Sequence, residues 1–536
     1  MSVIVVTGGA VGIGAAIAEE IGRQGAFVVT VDPGVALDGS PQDATEAGTQ
    51  RNTAQRIVAA GGQARASNAS VTDLDALTAL FGGLVEEFGA LHAVVNVAGI
   101  SRPTGFASGV EADWRAVLDV HLQGYLNVLR ASLPLMAAAG HGHVLGVTSG
   151  SGWRAADAGA YSCAKRAVAA LTWQLGAVAP PGVSVNALSP IAATRMVLGA
   201  LSQTPAISTG SAASGGLALG NLPAPEALGP VGAYLAGERF ARLANGRIMF
   251  SNGAELACVG PPRLLEVVDL PGDGSLPRTL DTLVSAVLAP AEAAQTSTGG
   301  STPRLGGLPA ESASTGRRVA VVTDDPEWEA AVLGALAERG CTTVVVDATP
   351  NRFDDTAARL GALDGPVDAV VVARRGAHGA AGDDGPGWIA VLDEHAGLPA
   401  TIGDDAAWAR AVADLAGATG RPTRVVTVVD AAGAAGRSRA QAAAQLSRAA
   451  RGATADLVDA FAVSVEDASA MGRTNAAQLA AHLACSPGAG ALSGAELAVT
   501  ERWLGLRSHP HPAWTISFVG PDVPDWVDGA LAKMIG

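Results

Sequence analysis

Short runs of valine, isoleucine and leucine alternate with longer stretches of helical periodicity through the first half of the chain. Apolar runs of four to six residues bounded by turn residues are the pattern of strands buried on both faces, and the amphipathic stretches between them supply the covering helices. The pattern predicts strands over residues 2–6, 27–31, 63–67, 93–97, 143–148, 184–188 and 247–250, so residues 1–262 are read as a doubly wound, parallel α/β domain. From 293 to 315 the periodicity gives way to Ser, Thr, Gly, Pro and Ala, which makes residues 263–315 a helical segment followed by a flexible linker. The alternation then restarts with R-R-V-A-V-V-T, a helical run to Gly340 and T-T-V-V-V-D. When 321–323 is laid over 5–7, the run 367–372 falls over 91–96, and the run ending at Asp430 falls over the strand ending at Ser149. Residues 316–536 are therefore predicted to be a second copy of the same fold.

Composition narrows the function. A formal charge of −15 disfavours nucleic acid, whose backbone is bound by Lys and Arg displacing counterions. No uninterrupted apolar segment reaches the roughly 18 residues needed to span a bilayer, so no membrane partner is expected. Met1 and Ser2 run straight into the first strand without a charged and apolar leader, and Cys163, Cys258, Cys341 and Cys485 show neither metal-ligand nor disulfide spacing. The expectation is a cytoplasmic enzyme with reduced thiols and no metal. His141 with His143, and His509 with His511, lack a third ligand at suitable spacing and are read as turn residues.

The chemistry lies in the first half. T-G-G-A-V-G-I-G, residues 7–14, follows a strand and opens a helix, the setting in which a glycine loop lets backbone N–H groups approach a diphosphate. Gly8, Gly12, Ile13 and Gly14 are thus candidate dinucleotide contacts in a Rossmann-type fold. Asp32 ends the second strand, where a carboxylate accepts hydrogen bonds from ribose hydroxyls and repels a 2′-phosphate, favouring NAD over NADP. The alternative is that Asp32, ahead of Pro33-Gly34, starts a turn. Tyr161 and Lys165 stand four apart, on one face of a helix, twelve residues and more after Ser149. A phenol with an ordinary pKa of about 10 is a poor base unless a cation such as the Lys165 ammonium stabilises its phenolate. These residues suit alcohol–carbonyl interconversion, with Tyr161 taking the proton and Ser149 holding the substrate oxygen.

Together these motifs resemble the short-chain dehydrogenase/reductase family over about residues 1–260, and the narrower likeness is to the dehydrogenase domain of multifunctional hydroxyacyl-CoA enzymes. The resemblance extends to N-V-A-G, where Asn96, Ala98 and Gly99 stand, and to V-N-A-L-S-P, residues 185–190. It implies that Tyr161 and Lys165 also touch the cofactor, that Pro190, Ile191 and Thr194 meet the nicotinamide end, and that 196–222 covers the substrate. Ser70 and Val71 stand where the adenine is met, Ser70 replacing the usual Asp. His121 occupies the place of an Asn that serves a proton-relay water; relay and simple packing both remain open for it. The interval from Ser149 to Tyr161 is one residue short, so Trp153 and Asp157 are expected to reshape the substrate mouth.

In the second copy, Asp324, Asp325 and Glu327 crowd the phosphate loop, Asp430 replaces Ser149, Val372 replaces Asn96, and Gln441 and Gln445 fall near the Tyr161 and Lys165 positions. That copy is read as degenerate and kept for packing, an intrachain pseudo-subunit in a chain expected to form a homodimer, with a loosely tethered domain binding an unrelated ligand as the alternative. The functional expectation is an NAD-dependent oxidoreductase acting on a small secondary alcohol or ketone. A 3-hydroxyacyl-CoA or a steroid-type alcohol is the narrower alternative substrate, and a non-catalytic NAD-binding scaffold the alternative of another class.

Overall fold

The computed structural model describes residues 1–535 except 42–51, 155–156, 198–221, 271–275, 296–315, 349–351, 377–385 and 521. Residues 296–315 of the connector predicted at 293–315, and most of the predicted substrate cover, therefore lie outside the described residues. The first half forms β1 (Val3–Thr7), β2 (Phe27–Val31), β3 (Gln63–Ser67), β4 (Ala93–Asn96), β5 (Gly142–Val147), β6 (Val183–Pro190), β7 (Ile248–Ser251) and β8 (Glu255–Gly260). Then come β9 (Leu264–Asp269), β10 (Arg318–Thr323), β11 (Thr342–Asp347), β12 (Ala369–Ala373), β13 (Thr423–Asp430), β14 (Val458–Val465), β15 (Glu496–Val499), β16 (Trp503–Arg507) and β17 (His511–Ser517). The seven strands read from the sequence are all present, within two residues at each end.

Two sheets result, in the orders β3-β2-β1-β4-β5-β6-β7-β8-β17 and β11-β10-β12-β13-β14-β15-β16-β9. From the second strand of the first sheet onward the two orders match strand for strand, which bears out the duplicated Rossmann-type fold. The last strand of each sheet is supplied by the other half. β8 passes through Pro261 and Pro262 into β9, which pairs antiparallel with β16; β16 passes through 508–510 into β17, which pairs antiparallel with β8. Prolines here fix φ and lack an N–H, so the chain runs on extended instead of turning back as a third hairpin strand. The two crossings bond to each other, Ser508 N donating to Arg263 O (2.8 Å) and Arg263 N to Ser508 Oγ (3.2 Å). Divisions at 262 and 315 therefore cut across both sheets: 264–269 belongs structurally with the second, and 511–517 with the first.

Six helices position the site: α1 (Gly12–Arg23), α2 (Gly124–Ala139), α3 (Gly159–Val178), α4 (Leu398–Thr419), α5 (Ala434–Thr454) and α6 (Trp526–Ile535). α6 follows β17 back onto the first half, burying Val527 and Leu531 with Ile17 and Phe240 and linking Asp528 to Tyr234 and Arg239. α3 and α5 pack against each other, and one apolar cluster runs from Leu126, Ala164 and Leu171 to Trp408, Ala442 and Leu446. The pairings Cys163 with Ala442 and Gln174 with Ser438 make the two helices antiparallel.

Beside this apolar seam lies a buried charged cluster. Arg166, 0% exposed, is ion-paired with Glu496, 4% exposed. His509, read from the sequence as a turn residue, sits instead between two carboxylates, Glu496 (3.1 Å) and Glu292 (3.3 Å). The thiols of Cys341 and Cys485, 144 residues apart, also meet, with sulfurs 2.9 Å apart.

Candidate active site

The carboxyl ends of β1, β2, β4, β5 and β6 open onto a cleft of about 890 Å³. At its floor the glycine loop turns into α1. Gly12 has φ +59° and open space where a side chain would stand; a Cβ on Gly14 would lie 2.1 Å from Gly8 O. Only glycine lets the loop close this tightly while leaving its upper face bare. α1 begins at Val11 with no side-chain cap and no acidic residue in its first turn, so its end is available to an anion. The cleft volume suits a large ligand, and the bare loop and uncapped helix fit the diphosphate of a dinucleotide.

The equivalent loop of the second half is closed by its own residues. Asp325 caps its helix, accepting from Glu327 N (2.8 Å) and Trp328 N (3.4 Å), and pairs with Arg375 (2.6 Å). A carboxylate thus occupies the donors that a phosphate would need, as the sequence suggested.

Asp32 lines the cleft at the end of β2. Its Oδ1 also accepts from Gly34 N (3.0 Å), so the turn reading holds for a residue that also lines the cleft. Burial pushes its carboxyl up, opposed by the backbone N–H groups of Gly34 and Ala10. Gly8, Ile13, Ser70, Val71, Ala98, Gly99, Pro190 and Thr194 also line the cleft. Asn96 and Ile191 stand behind the wall instead. Asn96 is buried and accepts from the Thr7 hydroxyl (2.7 Å), which in turn accepts from Ala98 N (3.3 Å), bracing the loop after β4. Ile191 packs against the cluster of Trp153, Ala187 and Phe250, with its N–H on Ser251 O (3.0 Å).

Ser149, Tyr161, Lys165 and His121 share one wall of the cleft. Ser149 follows β5 and its Oγ accepts from Ser151 N (3.2 Å), starting a short 3-10 turn over Gly150–Gly152. Tyr161 and Lys165 come one turn apart on α3, which is pinned to the end of β5 by the Thr148 hydroxyl donating to Lys165 O (2.6 Å). The Lys165 ammonium donates to Val147 O (2.7 Å) and lies 5.7 Å from the Tyr161 ring centroid. His121 sits on a π-helical turn, Asp119–Gln123, a distortion frequent at functional sites. Its ring meets Tyr161 edge-on at 5.0 Å, its Nε2 lies 2.8 Å from Ile100 O, and its Nδ1 is buried with no partner among the described residues.

Burial dominates the electrostatics. It pushes the Tyr161 phenol up, opposed by a hydrogen bond from the Ser149 hydroxyl. Burial also brings the Lys165 ammonium down to about 7, which weakens the lowering of the phenol expected from the sequence. Burial, then the Lys165 charge, takes His121 down to about 3, so its imidazole is neutral at physiological pH. The depressed Lys165 value means that, between about pH 7 and the unfolded value near 10.4, the unfolded chain holds a proton the folded chain lacks, so stability rises with pH there. Lys165→Met is therefore expected to stabilise the cofactor-free protein at pH 6.5 by on the order of 2 kcal/mol, a discounted part of about 1.4 kcal/mol per pH unit. That gain shrinks to nothing at pH 10.5 in paired thermal unfolding curves; a pH-independent difference contradicts it.

In the loop after Ser149 the expectation for Trp153 fails. Trp153 is turned into the core with Ala169, Ala187 and Ile248 and does not shape the mouth. Asp157 accepts from Phe106 N (2.7 Å), tying this loop to the segment after β4.

The short chain dehydrogenase profile matches residues 2–202. The short-chain reductase protein NovJ of Streptomyces niveus is 38% identical over 198 residues, covering 37% of this chain and 71% of that protein. The peroxisomal hydratase-dehydrogenase-epimerase of Neurospora crassa is 33% identical over 199 residues, 36% of this chain and 21% of that enzyme. Among solved structures, a short chain dehydrogenase from Mycobacterium avium is 30% identical and covers 53% of this chain and 94% of that one, with a TM-score of 0.42. The chain belongs to the short-chain dehydrogenase/reductase family, and is an oxidoreductase of that family. No helix among the described residues is long and apolar enough to cross a membrane.

Proposed function

We propose that this protein is an NAD-dependent dehydrogenase that interconverts a small secondary alcohol and its ketone, working through Tyr161, Ser149 and Lys165. The observation that carries the reading is the convergence of a phenol, a serine hydroxyl and a buried ammonium on one wall of the glycine-floored cleft. Gly8, Gly12, Ile13 and Gly14 would hold the diphosphate, Asp32 the adenosine ribose, and Pro190 with Thr194 the far end. The chemistry a bound nicotinamide supplies is hydride acceptance or donation. Tyr161 Oη takes the substrate hydroxyl proton, and the Ser149 hydroxyl holds the substrate oxygen beside it. In this reading the Lys165 ammonium, placed by its hydrogen bond to Val147 O, reaches the cofactor and favours the phenolate through the charge it retains. His121, neutral, packed edge-on against Tyr161 and with its Nδ1 unpartnered among the described residues, is the residue this reading assigns to a proton relay.

The second half, with its capped phosphate loop, takes no part in hydride chemistry. Residues 1–262 with the exchanged 511–535 segment form the catalytic unit of this proposal, and residues 316–510 with the exchanged 264–269 strand the pseudo-dehydrogenase unit. A cytoplasmic location, homodimeric assembly and a 3-hydroxyacyl-CoA or steroid-type substrate as the narrower choice belong to the same proposal.

The test is reduction of NAD in the presence of a panel of secondary alcohols, followed by NADH absorbance. Turnover supports the enzyme; NAD binding with no turnover of any alcohol supports the scaffold. Asp32→Ala is expected to shift the NAD-to-NADP ratio of kcat/KM toward NADP by about 10- to 100-fold, the equivalent of losing a charge-assisted hydrogen bond. An unchanged ratio removes Asp32 from cofactor selection.

A further inference from the structure

We propose that Gln445, in the second half of the chain, is a positioning residue for the turn that carries Ser149, so that the duplicated half completes the active site of the first. This rests on the reading of Ser149 and Lys165 as members of the reacting group. Gln445 lies on α5, 0% exposed, facing α3 across the seam between the halves. Its Nε2 donates to Ser151 O (2.9 Å) and to Arg154 O (2.8 Å), while its Oε1 accepts from Arg166 Nη1 (3.1 Å). The orientation of the amide is fixed by its partners, since two carbonyls can only accept and a guanidinium can only donate. Three bonds from one side chain thus join the turn after Ser149 to the residue after Lys165.

The grip acts on Ser149 through one residue. Ser151 presents its N–H to Ser149 Oγ (3.2 Å) and its C=O to Gln445. Gly152 presses against α3 so closely that a Cβ there would lie 3.0 Å from Arg166 N, so the turn has little independent freedom once its carbonyls are held. Arg166 is itself fixed by Glu496 and by Gln441 Oε1 (3.0 Å), both contributed by the second half. The sequence places Gln441 and Gln445 near the counterparts of Tyr161 and Lys165; the strand pairings and helix ends put Gly436 and Ala440 there instead. The antiparallel packing of α3 and α5 brings both amides of the second half to the first half's turn and to Arg166.

The test uses the full chain with Gln445→Met, which keeps length and bulk but loses both donors, and Gln445→Glu, which keeps the shape and turns lone pairs toward the two carbonyls. Amide hydrogen exchange of peptides covering 149–154 reads the grip directly. Exchange there is expected to quicken at least about tenfold in both variants, with exchange in β1 and α1 unchanged. kcat is expected to fall about 10- to 100-fold, more in Gln445→Glu, while KM for NAD stays within about twofold, the signature of a misplaced group in an intact cofactor site. Unaltered exchange in 149–154, or parental kcat per folded molecule, overturns the proposal. If one variant does not fold, the other decides. Ser149→Ala separates the two layers: full turnover by it means that the reading of Ser149 has failed, whereas the exchange measurement still decides whether Gln445 holds the turn.

Discussion

Tyr161→Phe is expected to lower kcat for alcohol oxidation about 10³-fold, within the 10²- to 10⁴-fold span of general acid–base catalysis, while leaving NAD affinity nearly unchanged. The substitution removes one oxygen and keeps the ring, which packs edge-on against His121 at 5.0 Å and so holds the wall of the cleft in place. The loss therefore reads the proton transfer and not a collapsed site. Burial pushes the phenol's pKa up, with the Ser149 hydroxyl opposing. The parent's kcat/KM should accordingly rise with pH as the phenol ionises, and this limb should vanish in Tyr161→Phe. Initial rates across pH, with NAD binding measured by fluorescence titration, check both halves of the expectation. A variant retaining more than about a tenth of the parental rate takes Tyr161 out of the chemistry.

Glu496→Gln is expected to destabilise the whole chain by about 3–5 kcal/mol, because it leaves the fully buried Arg166 guanidinium without its carboxylate. The change is isosteric, so packing is kept and the cost is electrostatic. Arg448, Glu292 and His509 stand in the same cluster: the His509 ring bridges the two glutamates, and burial first, then the Arg448 and Arg166 charges, press its proton affinity down. Adding Arg166→Met to Glu496→Gln restores the charge balance and should recover much of the loss, since a buried pair is far less costly to remove whole than by halves. Urea unfolding of the parent, both single variants and the double checks this. Additive losses would show that the pair is not coupled. Since the cluster contains residues from both halves, an early transition confined to the second half would equally contradict the view that the halves unfold together.

Much of the site was legible because its residues carry local signatures. A glycine loop works only between a strand and a helix, and Tyr161 with Lys165 shares a helix face at any four-residue spacing, so both could be read without knowing what they face. The strands of the first half were legible for the same reason: buried parallel strands are short apolar runs. β8 and β17 were not. β17 reads H-P-A-W-T-I-S, with its pairing partner some 250 residues away, and nothing local reveals which sheet a proline-led edge strand joins. Trp153 misled because an aromatic in a loop near a site is as able to turn inward as outward; the space left by Ala169 and Ala187 decides that. Asn96 and Ile191 belong to the right segments, but only backbone geometry sets which of two consecutive side chains meets the cleft.

The sequence by itself determined the elements, their repetition and the chemical types at the glycine loop and on α3, because each depends on interactions among residues a few positions apart. Tertiary structure alone decided the exchange of last strands, the buried Arg166–Glu496 contact, the meeting of Cys341 with Cys485 and the seating of Gln445 on the Ser149 turn. Those depend on packing two copies of one fold through their long helices, and the residues that make them are distant in the chain and ordinary in composition until a neighbour from the other half excludes water from around them.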